Sequence, residues 1–264
     1  MQKTILITGA TDGIGLEAAK LLAASGHHML LHGRNPAKLA KAVKTVQGGD
    51  GRVEQYVADL SRMSEVESLA DAVANEHDSL DVLINNAGVF RATNTVTEDG
   101  LDVRFVVNTI APFLLTRRLL PLLGASSRVI NLSSAAQAPV NLRALAGEVQ
   151  LSDNAAYAQS KLALTMWSRA LALSLGKDGP SVVAVNPGSM LGTKMVKEAY
   201  GVAGGDVGIG ADILYRAALS DEFATASGKY FDNDAGRFAR PHPDALDANK
   251  SEDVVRAIEA VLDK

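Results

Sequence analysis

The chain has 264 residues, 47% of them apolar, which excludes a disordered or fibrous class and suffices for one large domain with a buried core. Its formal net charge of −4 offers no basic surface for nucleic acid or anionic lipid. There are no cysteines, which excludes disulfides, thiolate metal sites and thiol nucleophiles and suits a reducing compartment, and the five histidines are scattered without metal-ligand spacing, so no metal is expected.

Thr4 to Thr8 reads as a strand from the very start of the chain, leaving no room for a charged leader and apolar run. No apolar stretch is judged long enough to cross a bilayer, so a cytoplasmic protein without membrane association is expected. The strand runs into Thr8-Gly9-Ala10-Thr11-Asp12-Gly13-Ile14-Gly15 and then a helical pattern over 15–25. Glycines at these places let the backbone turn sharply and approach a pyrophosphate, and the helix start offers N–H groups to the anion. Asp12 is expected to satisfy local N–H groups where that helix begins. A second strand, Met29–His32, ends in Gly33-Arg34. Many dinucleotide sites that select NAD place an acid here to accept from the ribose diol; glycine followed by arginine offers space and charge for a 2′-phosphate instead. His32 is taken as a strand-end residue, and His27 and His28 as solvent-facing turn residues.

A helix over 36–46, a strand at Val53–Val57, the pair Asp59-Leu60 and a helix over 63–77 follow, then a strand at Val82–Asn85 continuing into Asn86-Ala87-Gly88. Residues 98–123 read as a long helix that Pro112 should kink or break. Arg128–Leu132 is a strand ending at Ser133-Ser134, and 155–175 is a second long helix. Both long helices carry more apolar positions than a one-sided surface helix needs, which is compatible with burial in the chain or in a homo-oligomer. Asn141–Ser152 reads as an inserted surface segment. Val182–Asn186 leads to Pro187-Gly188, and glycine-rich residues near 190–210 read as a mobile lid. Lys229–Phe231 and a helix over 253–262 close the chain. Strands alternating with helices imply an α/β class: one doubly wound Rossmann-type domain over 1–264, with a mostly parallel seven-stranded sheet covered on both faces.

Tyr157 and Lys161 stand four apart, on one helical face. A free tyrosine titrates at about 10, and moving it to neutrality needs about 4 kcal/mol, within reach of the lysine ammonium and a bound oxidised nicotinamide in a dry site. Together the motifs at 8–15, Asp59-Leu60, Asn85 to Gly88, Asn108, Ser133-Ser134, Tyr157 to Lys161 and Asn186-Pro187-Gly188 resemble the short-chain dehydrogenase/reductase family over almost the full chain. The segment between Ser134 and Tyr157 is longer than in many members and resembles the retinol-dehydrogenase-like and oxidoreductase-like branch, here without that branch's membrane anchor.

The resemblance implies hydride transfer between NADP(H), with NAD(H) as the lesser cofactor, and a small to medium, largely apolar alcohol or carbonyl compound. It implies that Ser134 bonds the substrate oxygen, Tyr157 exchanges its proton, Lys161 holds the nicotinamide ribose and lowers the tyrosine pKa, and Asn108 supports a proton-relay water. It implies cofactor contacts from Gly9, Thr11, Asp12, Gly13, Ile14, Gly15, Arg34, Asp59, Leu60, Asn85, Ala87, Gly88, Pro187, Gly188 and Thr193. Substrate walls are expected from Ala136, Val140, Met190, Leu191, Met195, Tyr200 and Val202. The alternative is an NADP-sensing regulatory or scaffold protein on the same fold, against which the intact Asn108, Ser134, Tyr157 and Lys161 argue.

Overall fold

Ile5, Leu6 and Ile7 are all fully buried, as a strand with cover on both faces requires. They belong to β1 (Thr4–Ile7) in a computed structural model that describes residues 1–47 and 51–264. The period of two divides this apolar run between two cores. Ile5 and Ile7 pack with Met29, Leu31, Ile84 and Val185 under α1 (Gly13–Ala24) and α9 (Val207–Leu219). Leu6 packs with Leu30, Leu83 and Val129 under α3 (Met63–Glu76) and α5 (Ala111–Leu119).

The other strands are β2 (His28–Gly33), β3 (Val53–Val57), β4 (Val82–Asn85), β5 (Arg128–Leu132), β6 (Ser181–Asn186), β7 (Tyr230–Asp232) and β8 (Arg237–Ala239), in sheet order β3-β2-β1-β4-β5-β6-β7-β8. Pairing is parallel except between β7 and β8. The sheet therefore has eight strands, not the expected seven. β8 is three residues after a turn at Gly236 (φ +63°), too short to show a hydrophobic period. The remaining helices are α2 (Pro36–Val46), α4 (Val103–Phe105), α6 (Leu142–Leu145), α7 (Asp153–Leu175), α8 (Lys194–Tyr200), α10 (Pro243–Leu246) and α11 (Ala248–Leu262).

Three further expectations need correction. The helix expected over 98–123 begins at Val103, passes through a π-helical turn at Val106–Ile110 and resumes as α5, with Pro112 in the first turn, where a missing N–H costs least. This run, Val103–Leu122, is long and apolar enough to cross a membrane, contrary to the sequence expectation, but 67% of it is buried inside the fold. The segment 141–152 is not merely superficial: Asn141 caps α6, and Ala144 and Leu145 are buried in a third core with Phe105, Trp167 and Ile258. The segment near 190–210, expected to form a lid, carries regular structure. It holds α8, and Gly192 N donates to Gly205 O (2.7 Å) while Gly205 N donates to Met190 O (2.8 Å).

Candidate active site

Sheet order reverses between β1 and β4, and a cleft of about 440 Å³ opens at the C-terminal ends of these strands. It runs from the glycine turn to Tyr157 and Lys161 on α7. Gly9 and Gly13 are left-handed (φ +67° and +56°), and a Cβ on Gly15 would meet the Asn86 amide nitrogen at 2.4 Å. Asn86 Nδ2 donates to Thr8 O (2.8 Å) and Gly9 O (3.1 Å), fastening the turn to the end of β4. Asp12 departs from expectation: it is exposed and makes no side-chain cap for α1. Asn35, Ser152 and Thr193 do cap α2, α7 and α8. The first-turn N–H groups of α1 are thus left without a side-chain acceptor, beside Thr11, Ile14 and the glycines that line the cleft.

His32 is a clamp rather than a bystander. Its buried ring accepts from Gly9 N at Nδ1 (3.3 Å) and donates from Nε2 to Ala58 O (3.0 Å), and burial lowers its pKa to about 4. Next along β2, a Cβ on Gly33 would lie 2.4 Å from Thr11 Cγ2. Arg34 and Lys38 are exposed at the cleft wall; the sequence reading missed Lys38, one turn into α2. Asp59 and Leu60 line the same end. Asp59 Oδ1 accepts from Ser61 N (3.0 Å) and Ser61 Oγ (2.8 Å), and its own N–H donates to Glu65 (2.6 Å).

Asn85 does not reach the cleft with its side chain. It is buried, and Nδ2 donates to Thr116 Oγ1 (3.1 Å) and Asn131 Oδ1 (2.8 Å). Strand alternation turns the first asparagine of the pair into the sheet–helix interior, while Asn86, Ala87 and Gly88 line the cleft.

At the other end, Ser133 and Ser134 diverge as alternation requires. Ser133 Oγ is buried on Thr165 Oγ1 (2.7 Å), while Ser134 reaches the Tyr157 hydroxyl. Tyr230, which the sequence reading missed, donates to Ser134 O (3.2 Å), as does Gln137 Nε2 (2.9 Å). Lys161 is buried, donates to Leu132 O (2.7 Å), and lies 5.8 Å from the Tyr157 ring centroid. Asn108, within the π-helical turn, donates to Val89 O (2.9 Å) and Ser160 Oγ (3.0 Å) and accepts from Val89 N (2.8 Å). Both its side-chain donors are committed to protein partners, so its side chain clamps the loop after Gly88 onto α7.

Burial raises the Tyr157 pKa, Ser134 opposes the rise and Tyr200 adds to it. Burial also brings the Lys161 pKa down to about 8.

Pro187 and Thr193 line the cleft. Gly188 (φ +121°) belongs to a loop held by the end of β7: Ser189 N and Oγ donate to Asp234 (2.8 and 2.5 Å), and Asn186 Nδ2 donates to Asp232 and Asp234 (2.9 Å each). Of the expected walls, Met195 lines the cleft, and Tyr200 stacks near Phe90 (6.0 Å), which itself lies 4.7 Å from the Tyr157 ring. Tyr200, Met190 and Val202 are all exposed. Phe90 and Arg91 escaped the sequence reading, because a loop residue after a glycine carries no periodic signal.

The sequence pattern of the family described as short chain dehydrogenase matches residues 3–203. Retinol dehydrogenase 13 of Mus musculus is 34% identical over 273 residues, 93% of this chain and 79% of its own length. Polyprenol dehydrogenase of Homo sapiens is 35% identical over 75% of this chain and 63% of its own. A Mycobacterium paratuberculosis protein of known structure superposes with a TM-score of 0.81 at 29% identity, covering 98% of this chain and 93% of that one. A short chain dehydrogenase from Burkholderia cenocepacia J2315, solved in complex with NADP, gives 0.71 at 26% identity over 88% and 95% of the two chains.

Proposed function

This chain belongs to the short-chain dehydrogenase family, in its retinol-dehydrogenase-like branch, and from that premise we propose that it is an NADP(H)-dependent reductase of largely apolar carbonyl compounds, working also in reverse on the alcohols. The observation that carries the reading is the meeting of Tyr157 and Lys161 at one end of a cleft whose other end is built from close-packed glycines, with Ser134 beside the tyrosine. The glycine turn fits a nicotinamide dinucleotide: its backbone approaches β4 too closely for side chains, and the first turn of α1 is left uncapped for a pyrophosphate. Bound there, the nicotinamide supplies or accepts the hydride.

The chain's own residues handle the oxygen and its proton. Ser134, fixed through its carbonyl by Tyr230 and Gln137, donates to the substrate oxygen. Tyr157, protonated because burial raises its pKa, delivers the proton to that oxygen as the carbonyl is reduced. Lys161 holds the ribose and keeps a positive charge beside the phenol. Asn108 fixes the loop and helix that carry these groups. Arg34 and Lys38 favour the 2′-phosphate, a reading that the NADP complex of the Burkholderia relative supports.

The substrate is largely apolar because Phe90, Met195 and Tyr200 stand around the phenol. The segment from Met190 to Gly210 closes over it as a lid. NADPH consumption across a panel of aldehydes and ketones tests the proposal. Turnover of apolar members is expected; a panel in which only anionic compounds react contradicts the substrate class, and binding of NADPH without any turnover contradicts the enzyme.

A further inference from the structure

Away from the cleft, at the β3 edge of the sheet, side chains from β3, the last residue of α3 and the residue after it meet around the Tyr56 hydroxyl. Glu76 Oε2 is 2.6 Å from it, Glu54 Oε2 3.0 Å and His77 Nε2 3.1 Å, and His77 Nε2 lies 3.2 Å from Glu54 Oε2. The Glu54, Glu76 and His77 donor atoms all lie within 4.8 Å of one another. A tetrahedron with metal–ligand bonds of about 2.0–2.1 Å has edges of about 3.3 Å, and four of the donor–donor distances here, 2.6 to 3.2 Å, approach that length.

Proton counting gives an independent reason for a cation. Tyr56 has a single proton and two carboxylate oxygens within 3.0 Å. When the proton goes to Glu76, the Glu54 contact sets one oxygen lone pair against another. The remaining oxygen of Glu54 is already supported from outside the cluster, by His28 Nε2 (3.1 Å) and Arg52 Nε (2.8 Å), as outer partners orient a ligating carboxylate. Glu54 and His77 are only 13% and 11% exposed, while Glu76 is exposed.

We propose that Glu54, Glu76, His77 and the Tyr56 hydroxyl bind a divalent cation of the zinc class, bolting the edge strand β3 to the end of α3. His77 binds through the Nε2 lone pair, its proton moving to Nδ1, and the carboxylates neutralise the ion. Glu76 and His77, at the end of α3, and His28, which opens β2, hold the site away from the cleft, although the Tyr56 backbone pairs with His32. Its role is structural, and it does not depend on the reductase reading.

The test is calorimetric titration of Zn²⁺ into the chelator-treated full-length protein with saturating NADPH present, paired with thermal melts. A single saturable site and a raised Tm are expected. Glu54→Gln, His77→Gln and Tyr56→Phe should each weaken binding about tenfold or more while NADPH still binds, which shows that the variants are folded. No saturable binding to the wild type overturns the proposal. So does equal binding by every folded variant, or a melt that ignores zinc and rises only as pH falls, which would mean that protons alone satisfy the cluster.

Discussion

The proposed NADP(H) preference is assigned to Arg34 and Lys38 at the cleft wall, beside Gly33. A charge-assisted hydrogen bond contributes about 1.5–3 kcal/mol, and both Arg34 and Lys38 are exposed, so the low end applies. Arg34→Ala or Lys38→Ala should each reduce the kcat/KM preference for NADPH over NADH by about tenfold, less at high salt. Gly33→Asp alone should do poorly with either cofactor, because its Cβ meets Thr11 Cγ2 at 2.4 Å, whereas Thr11→Ala with Gly33→Asp should favour NADH. Steady-state kinetics with both cofactors decides this, and unchanged discrimination in the single arginine and lysine variants counts against it.

His32 and Lys161 set two pH limits. His32 is held neutral in the fold, with its pKa lowered from 6.5 to about 4. As pH falls from 6.5 towards 4 the unfolded chain takes up a proton that the folded one refuses, so stability drops, by on the order of 3 kcal/mol. His32→Gln, which keeps a donor and an acceptor, should flatten that part of the stability profile in denaturant titrations. Lys161 is charged below about 8. Reductive kcat/KM should therefore be level through neutrality and fall above about pH 8 as Lys161 loses its proton, while Tyr157 stays protonated further into the alkaline range. A fall that begins well below neutrality would contradict this assignment.

Among the elements, α7 is anchored by a charge the sequence did not reveal. Arg104, 2% exposed, donates to Asp102 Oδ2 (2.5 Å) and to Asp153 at the first residue of α7, one turn before Tyr157. Removing one partner of a buried ion pair costs about 3–5 kcal/mol; with Asp153 half exposed, Arg104→Ala should cost about 3 kcal/mol, read from denaturant midpoints. The helix itself was legible from its length, but Arg104 looks like any helical arginine until its partners are brought together from distant positions. The segment proposed as a lid was legible only as glycines. Its order depends on contacts between them: a Cβ on Gly204, at φ +75°, would meet Gly192 Cα at 2.6 Å. Gly204→Ala should loosen the segment, increasing protease cleavage between Met190 and Gly210 and weakening the protection that NADPH with substrate is expected to give.

For the molecule as a whole, strand runs such as Val82–Asn85 and Arg128–Leu132 were readable because buried parallel strands are continuous apolar stretches bounded by polar turns. The placement of the cleft followed from strand–turn–helix order. What escaped the sequence depends on which way a side chain faces after the chain has folded: Asn86 rather than Asn85 at the cleft, Asp12 turned to solvent, and two histidines at the sheet edge gathered around one carboxylate. On the proposed function, hydride passes from NADPH to an apolar carbonyl while Tyr157 supplies the proton. The most direct measurement follows deuterium from labelled NADPH into the carbinol carbon of the product, in wild type and Tyr157→Phe, with NADPH affinity determined for both. Label should appear with the wild type and fall by at least about a hundredfold in rate, roughly 2.7 kcal/mol, in the variant while NADPH affinity is retained. A variant that keeps more than about a tenth of the wild-type rate, or a wild type that binds NADPH and transfers no label to any carbonyl tested, would contradict it.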